Sequence, residues 1–163
     1  VTKGKPAEAR QLDETDRALI GALAEDGRQT VRALARTVNL SEPAVRDRVL
    51  RLEHAGVITG YHASLDPAAV RAGTAAFVAV RLNPDRRDRT KLHAALRAEP
   101  CVLEAHEIAG EDCYWVKLRV ASTTALADTL DRIRAIPTVA GTSTTIVLRT
   151  LFERPLAPDP STE

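Results

Sequence analysis

The hydrophobic pattern of this chain predicts an α+β protein of two small domains, a three-helix unit followed by a βαββαβ sheet unit. Three observations carry that reading. Apolar residues recur at helical spacing in three successive segments before Gly56. From Ala75 the sequence runs strand, helix, strand, strand, helix, strand, with turn residues between the segments. The 163 residues suffice for two small domains, each near the size at which a core stops being self-sufficient, so help from a partner chain is expected.

The first helix opens at Leu12-Asp13-Glu14-Thr15-Asp16, with Asp13 as N-cap and acidic residues in the first turn, where the helix dipole favours them. Leu19, Ile20 and Leu23 form its apolar stripe, and Gly27 stops it. Thr30 caps a short second helix carrying Val31, Leu34, Ala35 and Val38 at helical spacing, and Asn39 takes the left-handed conformation that ends it. In the third helix Ser41 is the N-cap, Pro43 lies in the first turn where no internal N–H bond is lost, and Leu40 stands at staple spacing from Val45. Val45, Val49 and Leu52 face inward. Glu42, Arg46, Asp47, Leu50 and Arg51 face outward, with Arg48 near the boundary. His54-Ala55-Gly56 closes the helix, and Val57 to Leu65 reads as a short hairpin, the wing of a winged helix-turn-helix.

Net charge over the chain is +1, but its distribution is uneven. Six arginines lie between Arg28 and Glu53 against three acidic residues, whereas from Asp66 onward 13 basic residues meet 13 acidic ones. A local positive patch is what a phosphate-binding module requires. Arg28, Ser41, Glu42, Pro43, Arg46, Asp47, Arg48 and Arg51 are therefore the candidate DNA contacts, since an arginine can bridge guanine O6 and N7 or clamp a phosphate. The same arginines can instead solvate the helix and pair with Asp47 or Glu53, and spacing alone leaves that open.

Residues 12–65 thus form the first domain, 66–73 a linker and 74–154 the second domain. Ala75 to Leu82 alternates, with Val78, Val80 and Leu82 on one side and Phe77, Ala79 and Arg81 on the other, until Asn83-Pro84-Asp85 breaks it. Arg89 to Ala98 is a helix with Leu92 and Leu96 inward, and Pro100 prevents its continuation. Val102–Ile108 and Tyr114–Val120 are antiparallel strands joined at Gly110-Glu111-Asp112. Ser122 or Thr123 caps a helix bearing Leu126, Leu130 and Ile133, broken at Pro137, and Thr144–Phe152 is the last strand. The order is that of a ferredoxin-like unit. Its right-handed crossovers place both helices on one face, so Phe77, Leu103, Ala105 and Trp115 on the other make a surface too apolar for water, which a second copy is expected to cover. Residues 1–11 and 155–163 read as flexible tails.

Several classes are excluded at this level. No apolar run approaches a membrane span and the start lacks the apolar segment of a signal peptide, so a cytoplasmic protein without membrane contact is expected. Two cysteines in such a chain are expected reduced. Cys101, Cys113, His93 and His106 lack the spacing of a zinc site, so neither a metal nor another cofactor is expected. With no nucleophile elbow, phosphate loop or clustered acid and base, the chain does not read as an enzyme.

Leu12-Asp13, Asp16-Arg17, Asp26-Gly27-Arg28, Leu34-Ala35, Leu40-Ser41, Val45, Arg48-Val49, Arg51-Leu52-Glu53, Gly56-Val57-Ile58 and Gly60-Tyr61 keep an order and spacing that resembles the Lrp/AsnC family of feast/famine transcriptional regulators. The resemblance implies a C-terminal domain of the RAM type that dimerises through its sheet and assembles dimers into octamers. Two recognition helices would then meet half-sites of pseudo-palindromic double-stranded DNA. It also implies a small-molecule effector, an amino acid or related metabolite, bound at contacts between dimers. The turn of Glu107, Ile108, Ala109, Gly110, Glu111, Asp112 and Cys113 would hold it, with the loop Pro137, Thr138 and Val139 as the other wall. Two positions depart from the pattern: Leu50 stands where relatives usually carry a basic residue, and Cys113 where amino-acid-binding relatives commonly carry Asp, whose carboxylate pairs with an α-ammonium better than a thiol does. A structural DNA-packaging protein of the same fold, with little sequence preference or effector response, is the alternative.

Overall fold

Asp13 starts the first helix. In the computed structural model, which describes residues 12–85, 88–110, 113–156 and 158, the Asp13 carboxylate accepts the Asp16 N–H at 2.7 Å and the Asp16 carboxylate accepts the Asp13 N–H at 3.4 Å. This reciprocal cap opens α1, Glu14–Glu25. Thr30 Oγ1 accepts the Ala33 N–H at 3.1 Å to open α2, Val31–Thr37, and Ser41 Oγ accepts the Ala44 N–H at 3.4 Å to open α3, Glu42–His54. Between α2 and α3 the chain reverses at Asn39, whose φ of 52° is left-handed, and the Leu40 N–H returns to the Ala35 carbonyl at 3.0 Å. Leu19, Leu34, Ala35 and Val45 form the small core on which the three helices meet.

The expected wing is not a hairpin. No strand lies between Gly56 and Asp66. The β-branched run is too short to pair: the Val57 and Ile58 N–H groups both return to the Leu52 carbonyl, at 2.9 and 3.2 Å, and finish the end of α3 instead. Beyond them Tyr61 is tied back by its hydroxyl, which donates to Glu53 Oε1 at 2.8 Å.

The described residues fall into two compact units, divided between Ala63 and Ser64 and again between Leu151 and Phe152. The expected linker opens the second unit as a tight turn, with Asp66 Oδ1 accepting the Ala68 N–H at 2.9 Å and the Pro67 carbonyl accepting the Ala72 N–H at 2.7 Å. Then come β1 (Thr74–Leu82), α4 (Thr90–Ala98), β2 (Val102–Glu107), β3 (Tyr114–Val120), α5 (Thr123–Arg134) and β4 (Val139–Ile146). The sheet is antiparallel with order β2-β3-β1-β4, the βαββαβ topology expected. Val78, Val80, Val116 and Leu118 are buried under Leu92, Leu96, Leu126 and Ile133 of the two helices. Among the described residues no helix is long and apolar enough to cross a membrane.

Two strand expectations are corrected. The last strand begins at Val139, not Thr144, and ends at Ile146. β1 sets this limit: Ala76 pairs with Ile146 and the Val147 N–H reaches the Ala75 carbonyl at 2.9 Å, one residue from the start of β1. The β-rich run past Ile146 is left without a partner strand, and Leu148, Leu151 and Phe152 are exposed. Ala105 also changes sides. A bulge between Val102 and Glu104 shifts the register so that Ala105 pairs with Val116 and shares its face, while Glu104 and His106 pair with Lys117 and Trp115.

The face away from the helices therefore carries Phe77 and Trp115, with ring centroids 6.2 Å apart, flanked by charge: Lys117 Nζ donates to Glu104 Oε1 at 3.2 Å, and His106 Nε2 lies 3.4 Å from Glu104 Oε2. Trp115 is 47% exposed. The His106 ring and then Lys117 hold the Glu104 carboxyl below its ordinary range.

Candidate nucleic-acid interface and effector loop

Ser41 fixes where α3 starts, and the positions of Val45, Val49 and Leu52 against the core fix how it is turned. Glu42, Pro43, Arg46, Asp47, Leu50 and Arg51 are consequently exposed, and so is Arg28 on the loop before α2. Arg46 and Arg51 form no ion pair among the described residues. That leaves two guanidinium groups on the outer face available to a phosphate or a base edge.

Arg48 has other partners. Its Nη1 lies 2.6 Å from Asp13 Oδ2 and 2.7 Å from Asp16 Oδ1, so the arginine clamps α3 to the first turn of α1. Both carboxylates hold the guanidinium more firmly protonated; the Asp16 backbone N–H, and then Arg48 itself, hold the Asp13 carboxyl below its ordinary range. The sequence places Arg48 among the candidate DNA contacts; in the structure its guanidinium is engaged by Asp13 and Asp16. The signal for it was in the sequence, in the Asp13 and Asp16 pair of the capping box and in the boundary position of Arg48, but nothing local joins residues so far apart in the chain.

In the second unit the effector candidates come to one end of the sheet. The Ile108 N–H bonds to the Cys113 carbonyl and the Cys113 N–H to the Val80 carbonyl, both at 3.0 Å, so the turn sits beside the end of β1. On the other side of that end, Val139 pairs with Leu82, and the Thr138 carbonyl accepts the Asn83 N–H at 2.9 Å. Pro137 is exposed, Thr138 is buried with no hydrogen-bond partner for its hydroxyl among the described residues, and Val139 belongs to β4 rather than to a loop. Gly110 has φ 154° with open space where a Cβ would lie, so a side chain there strains the backbone rather than meeting a neighbour. Glu107 is ion-paired with Arg89. Glu111 and Asp112 lie outside the described residues.

Cys113 is half-buried beside the turn and Cys101 lies at the opposite end of the hairpin, where its carbonyl accepts the Arg119 N–H. Among the described residues no three His, Cys, Asp or Glu side chains cluster as a metal site would require. One contact near the turn has no local signal in the sequence: Tyr114 is buried and its hydroxyl meets His93 Nε2 at 2.8 Å, pinning α4 to the start of β3.

A helix-turn-helix with an arginine-bearing outer face, joined to a separate α+β unit, defines the class of DNA-binding transcriptional regulators. The family model of the AsnC-type helix-turn-helix domain matches residues 12–53, and that of the Lrp/AsnC ligand binding domain matches residues 75–157. The chain is 42% identical over 144 residues to the HTH-type transcriptional regulator LrpA of Mycobacterium tuberculosis, a match covering 86% of this chain and 93% of that protein. Among solved structures it is similar to the feast or famine regulatory protein of M. tuberculosis complexed with L-methionine, at 43% identity and a TM-score of 0.81 over 87% of this chain and 95% of the other. A transcriptional regulator of Neisseria meningitidis in complex with L-methionine gives 29% identity and a TM-score of 0.83, over 88% of this chain and 94% of the other. The chain belongs to the Lrp/AsnC family of transcriptional regulators.

Proposed function

We propose that this regulator binds specific, pseudo-palindromic DNA as a dimer and that an amino acid, bound at the Gly110 end of its second unit, modulates that binding. The observation that carries the reading is the outer face of α3, where Arg46 and Arg51 stand exposed, without ion pairs among the described residues, on a helix that Arg48 locks in place. Arg46, with Glu42, Pro43 and Asp47, takes the base-reading part; Arg51 and Arg28 take phosphate; Arg48 is left out of the contact set. The aromatic face of Phe77 and Trp115 supports a dimer, because a second copy of the same sheet covers it by symmetry. Contacts between such dimers, in an octamer, are where the effector fits the family pattern.

L-methionine, held by both solved relatives, is the first effector candidate. The backbone of exposed Ala109 and Gly110 suits its carboxylate, and Glu111 or Asp112 supplies the negative charge that Cys113 does not. A thermal-shift screen against the twenty amino acids tests this, since a ligand at one hundred times its Kd adds roughly 2.7 kcal/mol of stability. The expected result is a shift with methionine or a similar apolar amino acid that Gly110→Val abolishes. No shift with any amino acid, while DNA binding is intact, would replace this reading with the architectural one.

A further inference from the structure

The geometry points to Leu50 as a base-reading residue: we infer that its isobutyl group contacts the C5-methyl of a thymine in the major groove, an inference that rests on the DNA-binding reading of α3. Pro43, Asp47, Leu50 and His54 recur at i, i+4, i+7 and i+11, which places them in one line along the side of α3 opposite buried Val45 and Leu52. Leu50 is 43% exposed on that crest. Arg46 lies to one side of the line and Arg51 to the other, and the shallow hollow around Leu50 is bounded by Asp47, Arg48, Arg51 and His54. Leu50 belongs to neither apolar core. Outside both cores, this apolar side chain stands on the crest between base-reading Arg46 and phosphate-binding Arg51, the part of the helix that faces the floor of the groove.

The chemistry of the groove then selects the occupant. A leucine gains nothing from a phosphate oxygen or from a hydrogen-bonding base edge. The one apolar group that the major groove displays is the thymine methyl. Contact with it removes both surfaces from water, and reads sequence where a lysine would only add charge.

The experiment begins by selecting the preferred duplex from a random pool with the full-length protein. Each thymine of that duplex is then replaced singly by deoxyuridine, which deletes the methyl and keeps every hydrogen-bonding group. At one thymine per half-site the replacement should weaken wild-type binding roughly fourfold, the factor that burying one methyl-sized group supplies. Leu50→Ala should lose a similar factor on the thymine duplex and be indifferent to deoxyuridine at that position. Leu50→Lys should also be indifferent, while binding all sequences more tightly at low salt. Equal deoxyuridine costs for wild type and Leu50→Ala, or a preferred site without thymine, would overturn the role of Leu50 and leave the DNA reading standing. Absence of any preferred duplex would overturn both.

Discussion

Arg46, Arg48 and Arg51 lie within two turns of one helix and have opposite surroundings. Arg48 spends its guanidinium on Asp13 and Asp16, whereas Arg46 and Arg51 present theirs outward. The division makes different losses for the two exposed residues. Arg46→Ala should cost about 2 kcal/mol on the preferred duplex and much less on random DNA, because a base contact is lost only where the base is right. Arg51→Ala should weaken binding to all sequences alike and lower the slope of log K against log salt by about 1. Fluorescence-anisotropy titrations at several salt concentrations separate the two. Equal losses from Arg46→Ala on every sequence would remove Arg46 from base reading.

At the scale of elements, the clamp of Arg48 on the first turn of α1 holds the recognition helix in register. Arg48→Ala should lower the denaturant stability by about 1 kcal/mol, no more, because Asp13 is half-exposed and solvent screens the pair. Its pH dependence follows from Asp13, whose carboxyl is held low by the Asp16 N–H and by Arg48. A carboxyl with a folded pKa below its unfolded one stabilises fully above the unfolded value, and the contribution is lost as pH falls through the folded value. The stability gap between wild type and Arg48→Ala should therefore be constant above about pH 5 and close below about pH 4. Helix starts were legible in the sequence because Asp13, Thr30 and Ser41 act on N–H groups three residues away. Strand limits depend on distant partners and were less legible. The residues of β4 from Val139 to Thr144 look like loop and the residues after Ile146 look like strand, and only the length of β1 decides between them. The bulge that moves Ala105 to the helix face has the same cause: register is set across strands, and a single extra residue exchanges the faces. The turn around Gly110 could be found from local sequence, whereas its approach to Thr138 and Val139 is set by the pairing of β1 with both neighbours.

For the whole molecule, two small cores and one aromatic sheet face argue that the regulator works as an assembly. Trp115→Glu places a charge beside Phe77 in the centre of that face and should halve the mass measured by light scattering, with the fold by circular dichroism unchanged; an unchanged mass would mean that the sheet face is not the dimer contact. The same loss of the partner should cost DNA affinity, since one recognition helix alone reads half a site. The most direct test of the account is competition between the selected duplex and random DNA for the full-length protein, run with and without L-methionine at physiological salt. The account predicts at least about a thousandfold preference for the selected duplex and a change in affinity of roughly fivefold or more when the effector binds. Equal affinity for both DNAs, unaltered by any amino acid, would contradict it and make the protein an architectural one.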